Sequence, residues 1–256
     1  MPANGLFNIL ARVDSTNNYA MGMVHAGMAE HGMAWFTPHQ TAGKGRRGRA
    51  WQGEAGQNIA LSVVLRPPAS VQAHPFALSM MAALACHRFF APLAGEETRL
   101  KWPNDLYWRD RKAGGLLIEN SYHGRDWQWA VVGMGININQ THFGDMGLKA
   151  VSLRQITGQS FDIVTLAQQL HGQLLQTVED FSTLDNAALC AQYNALLYRR
   201  GQTIRLKKGS QVFDTMLKGV DAQGQLLTFD TLERSFAFDE VEFVTAPSAS
   251  GANNHD

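Results

Sequence analysis

Gln40-Thr41-Ala42-Gly43-Lys44-Gly45-Arg46-Arg47-Gly48-Arg49-Ala50-Trp51 sets three glycines and four cations before a closing tryptophan. Met33-Ala34-Trp35-Phe36 precedes it, and Asn58 to Leu65 (NIALSVVL) follows. Both flanks, taken over Gly32 to Thr37 and Asn58 to Leu65, have the apolar, β-branched composition of strands. The segment is therefore a loop between strands. Gly43-x-Gly45-x-x-Gly48 matches the dinucleotide-binding spacing, but that fingerprint needs a helix after it, and here a strand follows. It is not a Walker A loop, because glycine follows Gly43-Lys44. Glycines let backbone N–H groups approach an anion, arginines add planar forks that match phosphate and carboxylate, and Trp51 can stack on a base or cover a site. Read alone, the loop fits a phosphate cradle or a solvated basic surface.

The whole chain narrows this choice. Its 256 residues carry 22 basic and 22 acidic side chains, which argues against a dedicated nucleic-acid binder and makes the basic loop a focused feature. Hydrophobic content of 45% and charged content of 17% describe a soluble globular protein. The two cysteines, Cys86 and Cys190, read as small apolar residues rather than a disulfide, which fits a reducing, cytoplasmic setting. No charged-then-apolar leader is present, and the apolar run from Phe76 to Ala85 is too short to span a membrane. None of the nine histidines has metal-ligand spacing, so no metal site is expected.

Asp14-Ser15-Thr16-Asn17-Asn18 reads as a helix cap before a helix from Tyr19 to Ala29; the same small polar groups could hydrogen-bond a ligand's head. Pro75 to Leu93 has helical spacing, with Phe76, Met80, Leu84 and His87 near one stripe. Thr98 to Trp102 reads as a strand ending in a Pro103-Asn104-Asp105 turn. Asp110 to Gly115 then leads to a strand from Leu116 to Asn120. His123-Gly124-Arg125-Asp126 is a hairpin turn, and Trp127 to Val132 returns, ending at Gly133-Met134-Gly135-Ile136-Asn137. Helical patterns cover Val164 to Glu179 and Leu184 to Leu197, with Asp162 and Thr183 as caps and Arg199-Arg200-Gly201 as the second helix's end. Four or five short strands follow, among them Thr203 to Leu206, Gln211 to Val220, Gln225 to Thr228 and Ser235 to Phe238. They form a small all-β module closing near Val244. The expected boundaries are a larger α+β domain over 1–198, the β module over 199–246, and a disordered tail over 247–256.

Five motifs in this order resemble biotin protein ligases: Asp14-Ser15-Thr16-Asn17, Gln40 with Gly43 to Trp51, Lys101-Trp102-Pro103-Asn104-Asp105, Arg111-Lys112-Ala113-Gly114-Gly115, and Gly133 to Asn137. The similarity runs from about Val13 to Val244. It implies an α+β fold: a mixed, mostly antiparallel sheet flanked by helices, of the class II aminoacyl-tRNA synthetase type, followed by a small SH3-like β-barrel. It implies that biotin is activated with ATP and Mg²⁺ to biotinyl-5′-AMP and passed to one lysine of a biotin carboxyl carrier protein. By the same resemblance, Ser15, Thr16, Asn17 and Gln40 bind biotin's polar ring end, and Gly114 and Gly115 contact biotin through backbone. Lys44, Gly45, Arg46 and Arg47 belong to a loop folding over the adenylate, with Arg46 neutralising the α-phosphate. Lys112 bridges biotin's carboxylate and that phosphate, and Arg49 contacts the pyrophosphate side. Trp51, Asn104 and Asn137 line the adenine and phosphate side, while Asp105 orients the acceptor lysine or a metal.

The chain departs from the family at Lys44, where arginine is frequent, and at Ala113-Gly114-Gly115, where a bulkier residue, alanine and glycine are usual. Only a dozen residues precede Val13, so no helix-turn-helix domain and no DNA partner are expected. A monomer or weak homodimer is expected, with no membrane partner. The competing readings are a lipoate or octanoate protein ligase of the same superfamily and a non-catalytic nucleotide-binding module.

Overall fold

Alternation along two central strands explains how the chain divides its surfaces. The computed structural model describes residues 6–72, 74–183 and 185–244; the tail expected over 247–256 and the helix start expected at Leu184 lie outside them. In order come β1 (Phe7–Ile9), α1 (Thr16–His25), β2 (Ala34–Thr37), β3 (Asn58–Leu65), α2 (Ala69–Gln72), α3 (Phe76–Ala94), β4 (Thr98–Lys101), β5 (Asp105–Trp108), β6 (Arg111–His123) and β7 (Asp126–Asn137). Then follow α4 (Leu153–Thr157), α5 (Ile163–Ser182) and α6 (Asn186–Ala195). The strands form one sheet in the order β1-β2-β3-β7-β6-β5-β4. The β1–β2 pair is parallel and the rest are antiparallel.

On β3, Ile59, Leu61, Val63 and Leu65 point to one face, as do Val132, Met134 and Ile136 of β7; all are fully or almost fully buried. The long helices α3 and α5 cover this side; Phe7 links Phe36 of the sheet to His171 of α5. The opposite face carries Ala60, Ser62 and Val64 on β3 and Val131, Gly133 and Gly135 on β7. There α1 packs Ala20 and Val24 against Trp35, Val64 and Val131. Helix α3 is apolar enough over 19 residues to cross a membrane, but 67% of its apolar window is buried inside the fold, so its composition is that of a core helix.

Several boundaries differ from the sequence reading. Ser15 caps α1, so that helix starts at Thr16 and ends at His25 rather than running from Tyr19 to Ala29. Asp105 opens β5 instead of closing a turn, and residues 111–115 already belong to β6. Gly133 to Asn137 continue β7 rather than end it. Cross-strand hydrogen bonds hold these glycines extended, which overrides their preference for turns. Thr183 ends α5, and Asp185 caps α6 by accepting from the Ala187 N–H. That helix stops at Ala195, so Arg199-Arg200-Gly201 lies beyond it.

The chain divides into two compact units between Tyr198 and Arg199. The second contains β8 (Thr203–Lys208), β9 (Gln211–Val220), β10 (Leu226–Phe229), β11 (Glu233–Phe236) and β12 (Glu242–Phe243), ordered β11-β10-β9-β8-β12. Ile204, Leu206, Leu217, Leu226 and Phe236 form its core. Among the described residues β11 and β12 are the two edges and do not pair, so the expected closed barrel is an open five-stranded sheet. The two-residue β12 offers too short a ladder to close it.

The His171 Nε2–H donates to the Gly32 carbonyl, 2.8 Å away, and burial pushes the ring's pKa below the ordinary 6.5. The folded state therefore favours neutral imidazole. Its contribution is complete above pH 6.5 and is lost as pH falls through the lowered value. The melting temperature should decline from pH 7.5 to 5.5, and His171→Phe should flatten that dependence while lowering the melting point at pH 7.5. An unchanged slope by calorimetry would contradict this account.

Candidate active site

Three glycines leave the backbone of the α1-side face bare. Gly135 of β7 is opposite Gly115 of β6, and Gly115 is opposite Asp105 of β5, so all three share a face. Gly133 lies two residues from Gly135 on the same face. A Cβ at Gly133 would sit 2.1 Å from Asn17 Oδ1, and one at Gly135 would sit 2.5 Å from the Trp51 ring. At Gly115 it would meet Lys112 Nζ at 3.2 Å and Asp105 Oδ1 at 3.4 Å. The start of α1, the indole of the basic loop and the lysine of β6 thus lie along one glycine floor.

The α1 end is pinned to the loop. Gln40 pairs with Val13, and the Thr41 and Ala42 N–H groups donate to the Val13 and Asp14 carbonyls at 2.9 and 2.8 Å. Gln40 Oε1 accepts from the Thr16 N–H at 2.9 Å. Ser15 Oγ accepts from the Asn18 N–H, and the Asn18 amide holds the Asp14 carboxyl below its usual range. The cap reading holds at Ser15, while Thr16 and Asn17 turn their side chains towards the sheet. Ser62 and Glu119, absent from the sequence reading, meet them there. Alternation on β3 and β6 marked those residues as facing α1, but only the register identifies their partner.

The loop folds back on itself. Lys44 bridges Ala50, the Trp51 N–H donates to the Gly43 carbonyl at 2.8 Å, and Arg46–Gly48 make one 3-10 turn. Arg47 takes φ 56° in that turn, so three of the four cations are carried at or beside its tip. A Cβ on Gly43 would sit 2.3 Å from Gln40 Nε2, so this glycine serves close packing. Beside Trp51 a pocket with about 270 Å³ of empty space, part of it open to solvent, is lined by Thr37, Pro38, Gln40, Trp51, Gly53, Glu54, Asn58 and Ala60.

Lys112 reaches this face because of a bulge. Leu106 pairs with Gly114 but Tyr107 pairs with Lys112, leaving Ala113 as the extra residue. The bulge turns Lys112 to the side of Gly115, where its Nζ lies 2.6 Å from Asp105 Oδ1. Ala113 is completely buried, so a small residue suits this point. Gly114 faces the other side, where a Cβ would meet Ile136 Cδ1 at 2.6 Å; only Gly115 of the pair belongs to the floor. Asn137 donates to the Lys112 and Val151 carbonyls at 3.3 and 3.1 Å, and Asn104 donates to the Leu116 carbonyl at 2.7 Å. Both amides hold the backbone that carries Lys112 and Asp105. Lys101, in register with Asp105, is buried and donates to Tyr107 Oη at 2.9 Å, and burial pushes the Tyr107 phenol well above its ordinary value.

Among the described residues no three His, Cys, Asp or Glu side chains group to hold a metal ion. Lys112, standing over the glycine floor, offers a cation to an anion there.

Comparison with known proteins bears on the family and the fold. The model of the biotin/lipoate A/B protein ligase family matches residues 9–137. The bifunctional ligase/repressor BirA of Escherichia coli is 30% identical over 229 residues, 87% of this chain and 69% of that protein. The biotin–[acetyl-CoA-carboxylase] ligase of Paracoccus denitrificans is 32% identical over 228 residues, 86% of this chain and 92% of its own length. A biotin protein ligase from Aquifex aeolicus, solved with biotin and ATP, superposes with a TM-score of 0.79 at 22% identity, covering 94% of this chain and all of that one.

Gly133→Ala should displace Asn17 and cost about 1–3 kcal/mol of stability, because Asn17 is held on both ends of its amide. Urea denaturation of the variant measures this, and wild-type stability would remove the close approach as a constraint.

Proposed function

This chain belongs to the biotin/lipoate A/B protein ligase family, and we infer that it is an ATP-dependent biotin protein ligase. It would join biotin to AMP and then transfer biotin to one lysine of a biotin carboxyl carrier protein. The observation that carries this reading is the Gly115–Gly135 pair, with Lys112 and Asp105 standing over one glycine and Trp51 over the other.

In the first step a biotin carboxylate oxygen attacks the α-phosphorus of ATP. A mixed anhydride forms and pyrophosphate leaves. Two anions must meet, so cations are required where charge shifts. Lys112 supplies one between carboxylate and α-phosphate, with Arg46 the partner from the loop. In the unliganded chain Asp105 holds the Lys112 ammonium; an arriving carboxylate and phosphate exchange for it, which releases Asp105 towards the incoming lysine. In the second step that lysine's amine attacks the acyl carbon, the anhydride C–O bond breaks, and AMP leaves.

Ser15, Thr16, Asn17 and Gln40 would receive the polar ring of biotin, and Gly115 its chain. Lys44, Gly45, Arg46, Arg47 and Arg49 would close over the phosphates, with Trp51 excluding water from the hydrolysable anhydride. Asn104 and Asn137 support the adenylate side through the backbone they hold. Mg²⁺ would supply charge neutralisation on the pyrophosphate; such an ion keeps most of its waters and needs few protein ligands. The 199–246 unit is proposed as an SH3-like module, supported by its five short antiparallel strands. A cytoplasmic monomer or weak homodimer completes the proposal, the weak pairing supported by the edge strands β1 and β4.

Purified protein with MgATP, a carrier domain and either biotin or lipoate tests the reading. Biotin-dependent pyrophosphate release and carrier labelling are expected; equal turnover with lipoate, or none with either, overturns it. Lys112→Ala should lower adenylate formation by on the order of 10²-fold with the fold retained by circular dichroism. Arg46→Gly should release adenylate and spread label to other proteins; selective labelling at the normal rate would remove Arg46 from the phosphate.

A further inference from the structure

Beneath the α1 terminus a hydrogen-bond chain has one possible direction. Asn17 Nδ2 lies 2.8 Å from Glu119 Oε2 and 3.2 Å from the Leu117 carbonyl, both acceptors, so the amide nitrogen must face them. Its oxygen is then the atom 2.6 Å from Ser62 Oγ, and Ser62 Oγ is also 2.7 Å from Thr16 Oγ1. Each of these short oxygen–oxygen contacts needs a proton. Asn17 Oδ1 has none, so Ser62 must donate to it, and Thr16 must donate to Ser62. The longer 3.2 Å approach of Thr16 Oγ1 to Gln40 Oε1 receives no proton, and that oxygen is satisfied by the Thr16 N–H. Ser62 is fully buried, and the bare backbone at Gly133 admits Asn17.

We propose that Ser62 and Glu119 are positioning residues that lock Thr16 as a pure acceptor, making the pocket select a ligand N–H at that point. The inference rests on the biotin ligase reading, since biotin's cyclic urea carries such N–H groups. With the Thr16 proton committed inward, only its lone pairs face the ligand. An analogue with oxygen in place of that ring N–H would set lone pair against lone pair, leaving two buried acceptors unpaired.

Calorimetric titration of the full chain with biotin and with the two cyclic-carbamate analogues, each replacing one ring N–H by oxygen, tests this. Wild type should bind biotin and reject at least one analogue by on the order of 10²-fold. Ser62→Ala removes the inward acceptor, so the Thr16 proton is free to meet Gln40 Oε1 or an acceptor on the ligand. Biotin binding should then weaken about tenfold while the biotin-to-carbamate ratio falls. Glu119→Ala should lower that ratio too, whereas Glu119→Gln, whose amide oxygen still accepts from Asn17, should keep it. Should Ser62→Ala not fold, Glu119→Ala against Glu119→Gln decides. Equal weakening of biotin and carbamates in the alanine variants, or an unchanged ratio, overturns the proposal. A wild-type protein that binds no biotin would instead overturn the functional reading.

Discussion

The close approach of other elements to the bare backbone at Gly115, Gly133 and Gly135 sets the distances of the whole site. A sheet face normally carries a layer of side chains that keeps whatever packs on it about 10 Å from the backbone. Here Asn17 and Trp51 come to within contact distance of where a Cβ would stand, and the Lys112 ammonium lies just above Gly115. Glycine in a strand interior gives up packing and chain entropy. That loss is concentrated at the site, while the opposite face of the same strands is filled by Ile59, Leu61, Met134 and Ile136.

The extra residue at Ala113 is the second constraint. Strict alternation would send Lys112 to the face of Gly114 and Ile136, into the core beneath α3. One inserted residue reverses that parity, and the ammonium emerges beside Asp105. Asn137 and Asn104 then tie the displaced backbone to its neighbours. The two amides thus steady the main chain on which Lys112 and Asp105 meet.

Polar groups near α1 follow the same economy. Ser15 serves as a helix cap and Gln40 anchors the Thr16 N–H, so the terminus keeps its position before any ligand binds. Asn17 has both ends of its amide engaged, which explains how a polar side chain can be almost wholly buried without penalty.

Composition, periodicity and local chemistry determined the element types: the strand at Asn58–Leu65, the long apolar helix beginning near Phe76, the Asp162 cap and the 123–126 hairpin turn all follow from short-range preferences. The motifs also determined which residues would be chemically equipped, because glycine, arginine, lysine and small polar side chains at those spacings have few structural uses in common. Tertiary structure decided the rest. Gly133 and Gly135 read as the point where a strand ends and lie inside it, since ladder hydrogen bonds outweigh local preference. Gly114 and Gly115 read as equivalents and face opposite ways, because adjacent strand positions alternate. Ser62 and Glu119 are marked locally only by the face they take in their strands. Their meeting with Asn17, like that of Lys112 with Asp105, depends on the register of strands far apart in the chain, and register is a property of the assembled sheet rather than of any segment in it.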